Sequence, residues 1–181
     1  MKTKRIVISG GPGTGKTSLI QYIADKGYPC MPEISREITL AAQREGISQL
    51  FLEDPILFSE KLLEGRLDQY QEGQKFDSPY LFYDRGMPDV TAYMDYLGTS
   101  YSSPFNHTCS EHKYDAIFLL PPWESIYQQD NERYESFAEA TKIHQFLQES
   151  YSNYGYQVYE VPFGALEDRA SFIFGKLNQL F

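Results

Sequence analysis

Cysteine is scarce. Only Cys30 and Cys109 occur in 181 residues, which excludes a disulfide-stapled scaffold at this length and points to a reducing compartment. Long apolar runs are missing as well, since no window approaches the roughly 18 uninterrupted apolar residues of a membrane-spanning helix. The start, Met1-Lys2-Thr3-Lys4-Arg5-Ile6-Val7-Ile8, has positive charge but no extended apolar segment or small-residue cleavage site before Gly10, a poor match to a signal peptide. A cytoplasmic location is the expectation. Basic residues are outnumbered: 16 Lys and Arg face 25 Asp and Glu, for a formal charge of −9. That balance argues against a protein built to coat nucleic acid or an anionic membrane. The positive charge gathers at the beginning, where Lys2, Lys4, Arg5, Lys16 and Lys26 stand against Asp25 alone. A small anion should be sought there.

Apolar material is ample, with 41% hydrophobic residues, 15 Tyr and 12 Phe. A chain of this size buries about 70% of its unfolded surface, so residues 1–181 are expected to form one domain. Arg5-Ile6-Val7-Ile8-Ser9 is short, apolar and β-branched before it breaks into glycines, the pattern of a buried strand. Leu19, Ile20, Ile23 and Ala24 then recur at helical spacing up to Gly27. Proline-rich Tyr28–Pro32 suits an outer strand. Helices are predicted over Glu33–Arg44 and from Pro55 onward, the second weakened by Gly65. Tyr80–Tyr83, Ala116–Leu120 and Gln157–Val161 read as further strands. Helices are expected after Pro88, around Phe137–Leu147 and from Leu166 to the end. Residues 99–112, rich in Ser, Tyr, His and Asn, show no useful period and read as an irregular surface insertion; their His and Cys residues lack an established metal-ligand spacing. Five short strands separated by helices imply an α/β fold, a five-stranded parallel sheet with helices on both faces.

Gly10-Gly11-Pro12-Gly13-Thr14-Gly15-Lys16-Thr17 completes the G-x-x-x-x-G-K-[ST] pattern of a phosphate loop, between a strand and a helix as that motif requires. Its glycines let backbone amides turn toward a phosphate, and the helix amino end adds favourable partial charge. Gly11, Pro12, Gly13, Thr14, Gly15, Lys16, Thr17 and Ser18 are the nucleotide-binding candidates. Lys16 is expected to project into open phosphate space, and Thr17 to hold Mg²⁺ through its hydroxyl.

Such a loop serves kinases, motor hydrolases and switches alike, so the rest of the pocket must discriminate. Asp84 ends an apolar strand and is the second metal-side candidate; Arg85 follows it, suited to neutralising an acceptor or a transferring phosphate. The same pair also reads as a plain turn. Glu33 has two readings, a base for an acceptor hydroxyl or a helix cap. Arg133 lies in a polar stretch after the fourth strand, where it would supply positive charge to the moving phosphoryl group or pair with neighbouring glutamates. Pro162 and Gly164 follow the last strand, either beside an adenine or in an ordinary turn. Arg169 reads as an anchor for its helix. Tyr93, Tyr96 and Tyr101 read as wall or as core.

Taken in order, the phosphate loop, Pro32-Glu33-Ile34-Ser35-Arg36-Glu37, Tyr83-Asp84-Arg85-Gly86-Met87-Pro88-Asp89, Pro122-Trp123 and Asp130-Asn131-Glu132-Arg133 resemble the small AAA-like P-loop family. That family includes the ribosylnicotinamide kinase domain of a bacterial NAD regulator and an animal GTP-binding translocation-defect protein. The resemblance implies a nucleoside- or nucleotide-kinase-like fold with a short lid. It also implies Glu33 preparing an acceptor hydroxyl, Asp84 and Arg85 beside substrate, and Arg133 as lid arginine. The regulator's adenylyltransferase and DNA-binding domains have no counterpart, and a hexameric motor is not expected.

The leading expectation is an enzyme using ATP and Mg²⁺ to phosphorylate a small hydroxyl-bearing acceptor such as a nucleoside or riboside. The alternative is a nucleotide-dependent switch or slow NTPase acting through a protein or lipid partner. An Asn-Lys-x-Asp guanine-reading segment is missing after the fourth strand, where Leu119-Leu120-Pro121-Pro122-Trp123 stands instead, and this favours ATP over GTP.

Overall fold

The computed structural model describes residues 2–127 and 136–181. Five parallel strands, β1 (Lys4–Ser9), β2 (Cys30–Met31), β3 (Tyr80–Asp84), β4 (Ala116–Leu119) and β5 (Val158–Glu160), lie in the order β2-β3-β1-β4-β5. Proline-flanked β2 is an edge strand, as its missing amide donors require.

Successive strand residues point to opposite faces, and the strands are apolar on both because both are covered. Ile6, Ile8, Phe82 and Phe118 pack against α1 (Lys16–Asp25) and α8 (Leu166–Leu180) through Leu19, Ile23, Ala170, Ile173 and Leu177. Val7, Leu81, Tyr83 and Ile117 pack on the other face with residues of α4 (Pro55–Glu72), α5 (Met87–Tyr96), α6 (Ser103–Glu111) and α7 (Phe137–Asn153). Two shorter segments, α2 (Ser35–Arg44) and α3 (Leu50–Glu53), connect β2 to α4.

Residues 103–111 are helical, correcting the expectation of an irregular insertion. Pro104 sits in the first turn, where its missing amide costs nothing, and Phe105 and Cys109, four apart, are both buried. Two apolar anchors suffice to dock a helix whose other residues give no periodic signal. Gly65 does not interrupt α4. A Cβ there would lie 2.6 Å from Ile34 Cδ1, so the glycine admits Ile34 against the helix.

Candidate active site

The three strands β2, β3 and β1 end side by side, with Met31 opposite Tyr83 and Ile8 opposite Asp84. Pro32-Glu33, Asp84-Arg85 and the phosphate loop therefore emerge together at the carboxyl edge of the sheet, where parallel α/β folds bind ligands. The loops after β4 and β5 flank the other side of the phosphate loop.

Gly13 and Gly15 have φ of 71° and 72°, the left-handed region that a side chain resists. Gly13 is also crowded. An added Cβ would meet the Tyr127 ring at 2.1 Å, and the Gly13 carbonyl accepts the Trp123 amide at 3.2 Å. The segment after β4 thus lies directly on the loop. Behind the loop, the buried Arg169 donates from Nη2 to the Thr14 carbonyl at 2.8 Å, so it anchors α8 to the loop backbone. Thr14 closes the turn internally through Oγ1 to the Gly11 carbonyl at 3.1 Å. Gly11 is buried, Pro12 is partly buried, and Thr17 and Ser18 are exposed at the first turn of α1.

Lys16 is buried and paired with Asp84, contrary to its expected projection into open phosphate space. The reason is local charge: an ammonium in a low-dielectric pocket takes the nearest carboxylate as its partner. Burial pushes the Lys16 ammonium below its ordinary value and Arg85 adds to this, while Asp84 opposes.

Arg85 leaves β3 in the left-handed conformation, φ 73°, the one described non-glycine residue with positive φ. This turns its guanidinium back across the strand ends. Arg85 Nε lies 2.7 Å from Glu33 Oε2, and Nη1 lies 3.4 Å from Asp89 Oδ1 and 3.3 Å from the Tyr93 hydroxyl. Of its two anticipated readings, Glu33 shows the one beside the helix start: Oε1 accepts the Ile34 and Ser35 amides at 3.0 and 3.1 Å, with α2 beginning at Ser35 rather than at Glu33, while Oε2 faces Arg85. Burial alone would raise the Glu33 carboxyl. Arg66, Arg85 and Lys16 outweigh it and hold it at about 2.

Sequence reasoning missed the groups that brace this arrangement. Buried Arg66 of α4 donates to the Gly86 carbonyl at 2.8 Å and to Glu33 Oε1 at 3.3 Å. Asp89, 1% exposed, accepts from Ser9 Oγ at 2.6 Å, the Gly86 amide at 2.9 Å and the Tyr151 hydroxyl at 2.5 Å. Lys16, Arg66 and Arg85 face Glu33, Asp84 and Asp89, three positive groups against three negative ones. Of the three tyrosines in question, Tyr93 reaches this cluster; Tyr96 packs edge-on against Phe146 and Tyr101 against Phe105.

Pro162 is exposed and Gly164 partly so, on the far side of the loop, and between them Phe163 stacks on Trp123 with ring centroids 5.2 Å apart. Arg133 lies outside the described residues. Thr17 and Asp84 offer Mg²⁺ a hydroxyl and a carboxylate, a hard oxygen set suited to that ion, which keeps several waters and is shared with substrate phosphates. No group of three or more His, Cys, Asp or Glu side chains that could hold a metal ion occurs among the described residues.

A family model described as an AAA domain matches residues 5–169. The chain belongs to this AAA domain family. No curated protein matches it. Solved structures share its fold at low identity. Deoxyadenosine kinase from M. mycoides with the products dCMP and a flexible dCDP superposes with a TM-score of 0.71 at 16% identity, over 97% of this chain and 99% of that one. NadR protein in complex with NR gives 0.77 at 19% identity over 99% of this chain, which spans 50% of NadR. Thymidylate kinase from Candida albicans gives 0.69 at 14%, over 98% and 92%. The AAA domain chain thus has the α/β architecture of nucleoside- and nucleotide-kinase-like P-loop proteins, and no described helix is long and apolar enough to cross a membrane.

Proposed function

We propose that the protein transfers the γ-phosphoryl group of Mg·ATP to a hydroxyl of a small acceptor of the nucleoside or riboside class. The observation that carries this reading is the Glu33–Arg85 pair beside Lys16–Asp84, one polar group set at the phosphate loop and another on the β2–β3 side of the same sheet edge. A hydrolase needs only the first. The named ligands of the fold relatives, dCMP with deoxyadenosine kinase and NR with NadR, support an acceptor of this kind.

The chemistry follows from exchange within the neutral cluster. An incoming phosphate replaces Asp84 as the partner of Lys16, which frees the Asp84 carboxylate; with the Thr17 hydroxyl it would hold Mg²⁺, and the cation would supply neutralisation of phosphate charge. On the other side an acceptor hydroxyl donates to Glu33 as Arg85 releases it. A carboxylate held at about 2 is a weak base. It first aligns the hydroxyl and takes its proton late, once the new O–P bond has made that proton acidic and the bond to ADP has broken. Arg85 and, on this reading, Arg133 stabilise charge on the transferring group, with the base of ATP near Pro162 and Gly164.

The test is incubation of the full chain with Mg·ATP and a panel of nucleosides and ribosides, read by mass spectrometry for a phosphorylated product. A product whose formation depends on Glu33 supports the reading. Hydrolysis of ATP with no acceptor modified would replace it with a slow NTPase or switch.

A further inference from the structure

Arg169 is the buried cation at the phosphate loop that the ion-pair cluster leaves out. Lys16, Arg66 and Arg85 each face a carboxylate of Glu33, Asp84 or Asp89. Arg169 lies behind the loop, 2% exposed, and forms no ion pair among the described residues. Its acidic neighbours on α8, Glu167 and Asp168, are exposed. Burial pushes Arg169 below its ordinary value with no carboxylate opposing, whereas Glu33 and Asp89 help to raise Arg66 and Arg85 against their own burial.

The contacts of this guanidinium are with the loop itself. Nη2 donates to the Thr14 carbonyl at 2.8 Å, an added Cβ on Gly15 would lie 2.9 Å from Nη1, and the guanidinium carbon sits 5.9 Å from the centre of the Trp123 ring. The Thr14–Gly15 peptide is trans, so its N–H points opposite to its C=O. A guanidinium on the carbonyl at the back therefore polarises the Gly15 amide and aims it away from Arg169, toward the side on which a phosphate loop cradles its ligand. The Trp123 amide holds the Gly13 carbonyl in the same manner at 3.2 Å, but carries no charge. A buried charge without a counter-ion is costly, and an anion across one peptide unit offsets that cost. In a chain of net charge −9, a cation fixed at this point is a local source of positive potential.

We infer that Arg169 is an electrostatic determinant of nucleotide affinity: its charge, acting through the Thr14–Gly15 peptide, takes the phosphates of the nucleotide as its counter-charge. The inference rests on nucleotide binding at the loop, as in the proposed function, and is independent of which acceptor is phosphorylated.

Two variants separate charge from anchoring. Arg169→Gln keeps an N–H donor for the Thr14 carbonyl and removes the charge, whereas Arg169→Lys keeps the charge and loses the planar fork. ATP affinity of the full-length protein is measured by calorimetric titration over a range of sodium chloride concentrations, with circular dichroism checking the fold of each variant. Arg169→Lys should stay within about threefold of the wild type, while Arg169→Gln should bind on the order of tenfold more weakly and with a shallower salt dependence. Should the neutral variant fail to fold, Arg169→Lys carries the test alone: affinity near that of the wild type supports the inference, and a loss of about tenfold overturns it. Equal weakening in both variants, wild-type affinity in Arg169→Gln, or a salt dependence that Arg169→Gln leaves unchanged would overturn the inference and leave the kinase reading standing. Absence of ATP binding by the wild-type protein would overturn both.

Discussion

Lys16 of the phosphate loop and Asp84 at the end of β3 pair with each other, both buried, where the ends of β1 and β3 lie side by side. On the proposed function, the pair makes ligand binding an exchange of partners rather than the filling of an open space. It also makes each member structural. Lys16→Ala should abolish Mg·nucleotide binding and, by stranding Asp84, lower stability by about 3 kcal/mol. Lys16→Ala/Asp84→Asn should regain stability without regaining binding. Calorimetric titration and denaturant unfolding of the two variants check this; recovery of nucleotide affinity in the double variant would contradict it.

Asp84→Asn alone separates metal from phosphate. The amide keeps the side chain's shape but releases Lys16, so binding of metal-free nucleotide should hold or tighten while Mg²⁺-dependent turnover falls by at least tenfold. Affinity measured with and without Mg²⁺, alongside turnover, reads the two effects apart. Loss of metal-free binding as the main defect would return Asp84 to a purely structural role.

For Glu33→Gln the expectation is preserved ATP affinity with acceptor phosphorylation reduced roughly tenfold to ten-thousandfold. Acceptor-free hydrolysis should change little. A variant that phosphorylates its acceptor at the wild-type rate would take Glu33 out of the reaction.

Glu33 also predicts a pH dependence. Its carboxyl is held at about 2 in the folded protein, against an ordinary 4.5. On acidification the unfolded chain takes up this proton first, so the stabilisation from Glu33 is complete above pH 4.5 and is lost as the pH falls toward 2. Unfolding followed across that window should show a shallower acid decline in Glu33→Gln than in the wild type; identical slopes would mean that Arg66 and Arg85 do not hold the carboxylate in solution.

Arg169→Leu removes the donor to the Thr14 carbonyl behind the loop. A lost charged hydrogen bond to a buried acceptor costs about 1–3 kcal/mol. Hydrogen exchange at the amides of residues 11–17 should accelerate and nucleotide affinity fall, while the exchange of β3 stays unchanged.

The strands, their parallel sheet and the phosphate loop were legible because each rests on local pattern: a short apolar run, then glycines, then helical spacing. Glu33, Asp84 and Arg85 were legible as strand-end charges. The bracing around them was not, because Arg66 shares the apolar face of α4 with Leu62 and Leu63, where helical spacing names no partner for it, and its partners Gly86 and Glu33 lie remote in sequence. Asp89 carried a faint signal, an acidic residue three positions after Gly86 at a helix start, as in a capping box. Its bonds to Ser9 and Tyr151 had none. The burial of Lys16 depends on where β3 lies relative to β1, and helix 103–111 depends on a surface for Phe105 and Cys109, so both follow from packing rather than from sequence period.

Tyr127 and Phe137 meet edge to face with ring centroids 5.7 Å apart, one at each side of residues 128–135. The entropic charge of closing that stretch of chain is therefore met at its base, by two rings, before any residue within it contributes. Doubling the length between them would cost only about 0.6 kcal/mol. The contact holds the end of the segment after β4 and the start of α7 together beside the phosphate loop, so the cost of joining them falls on these two rings.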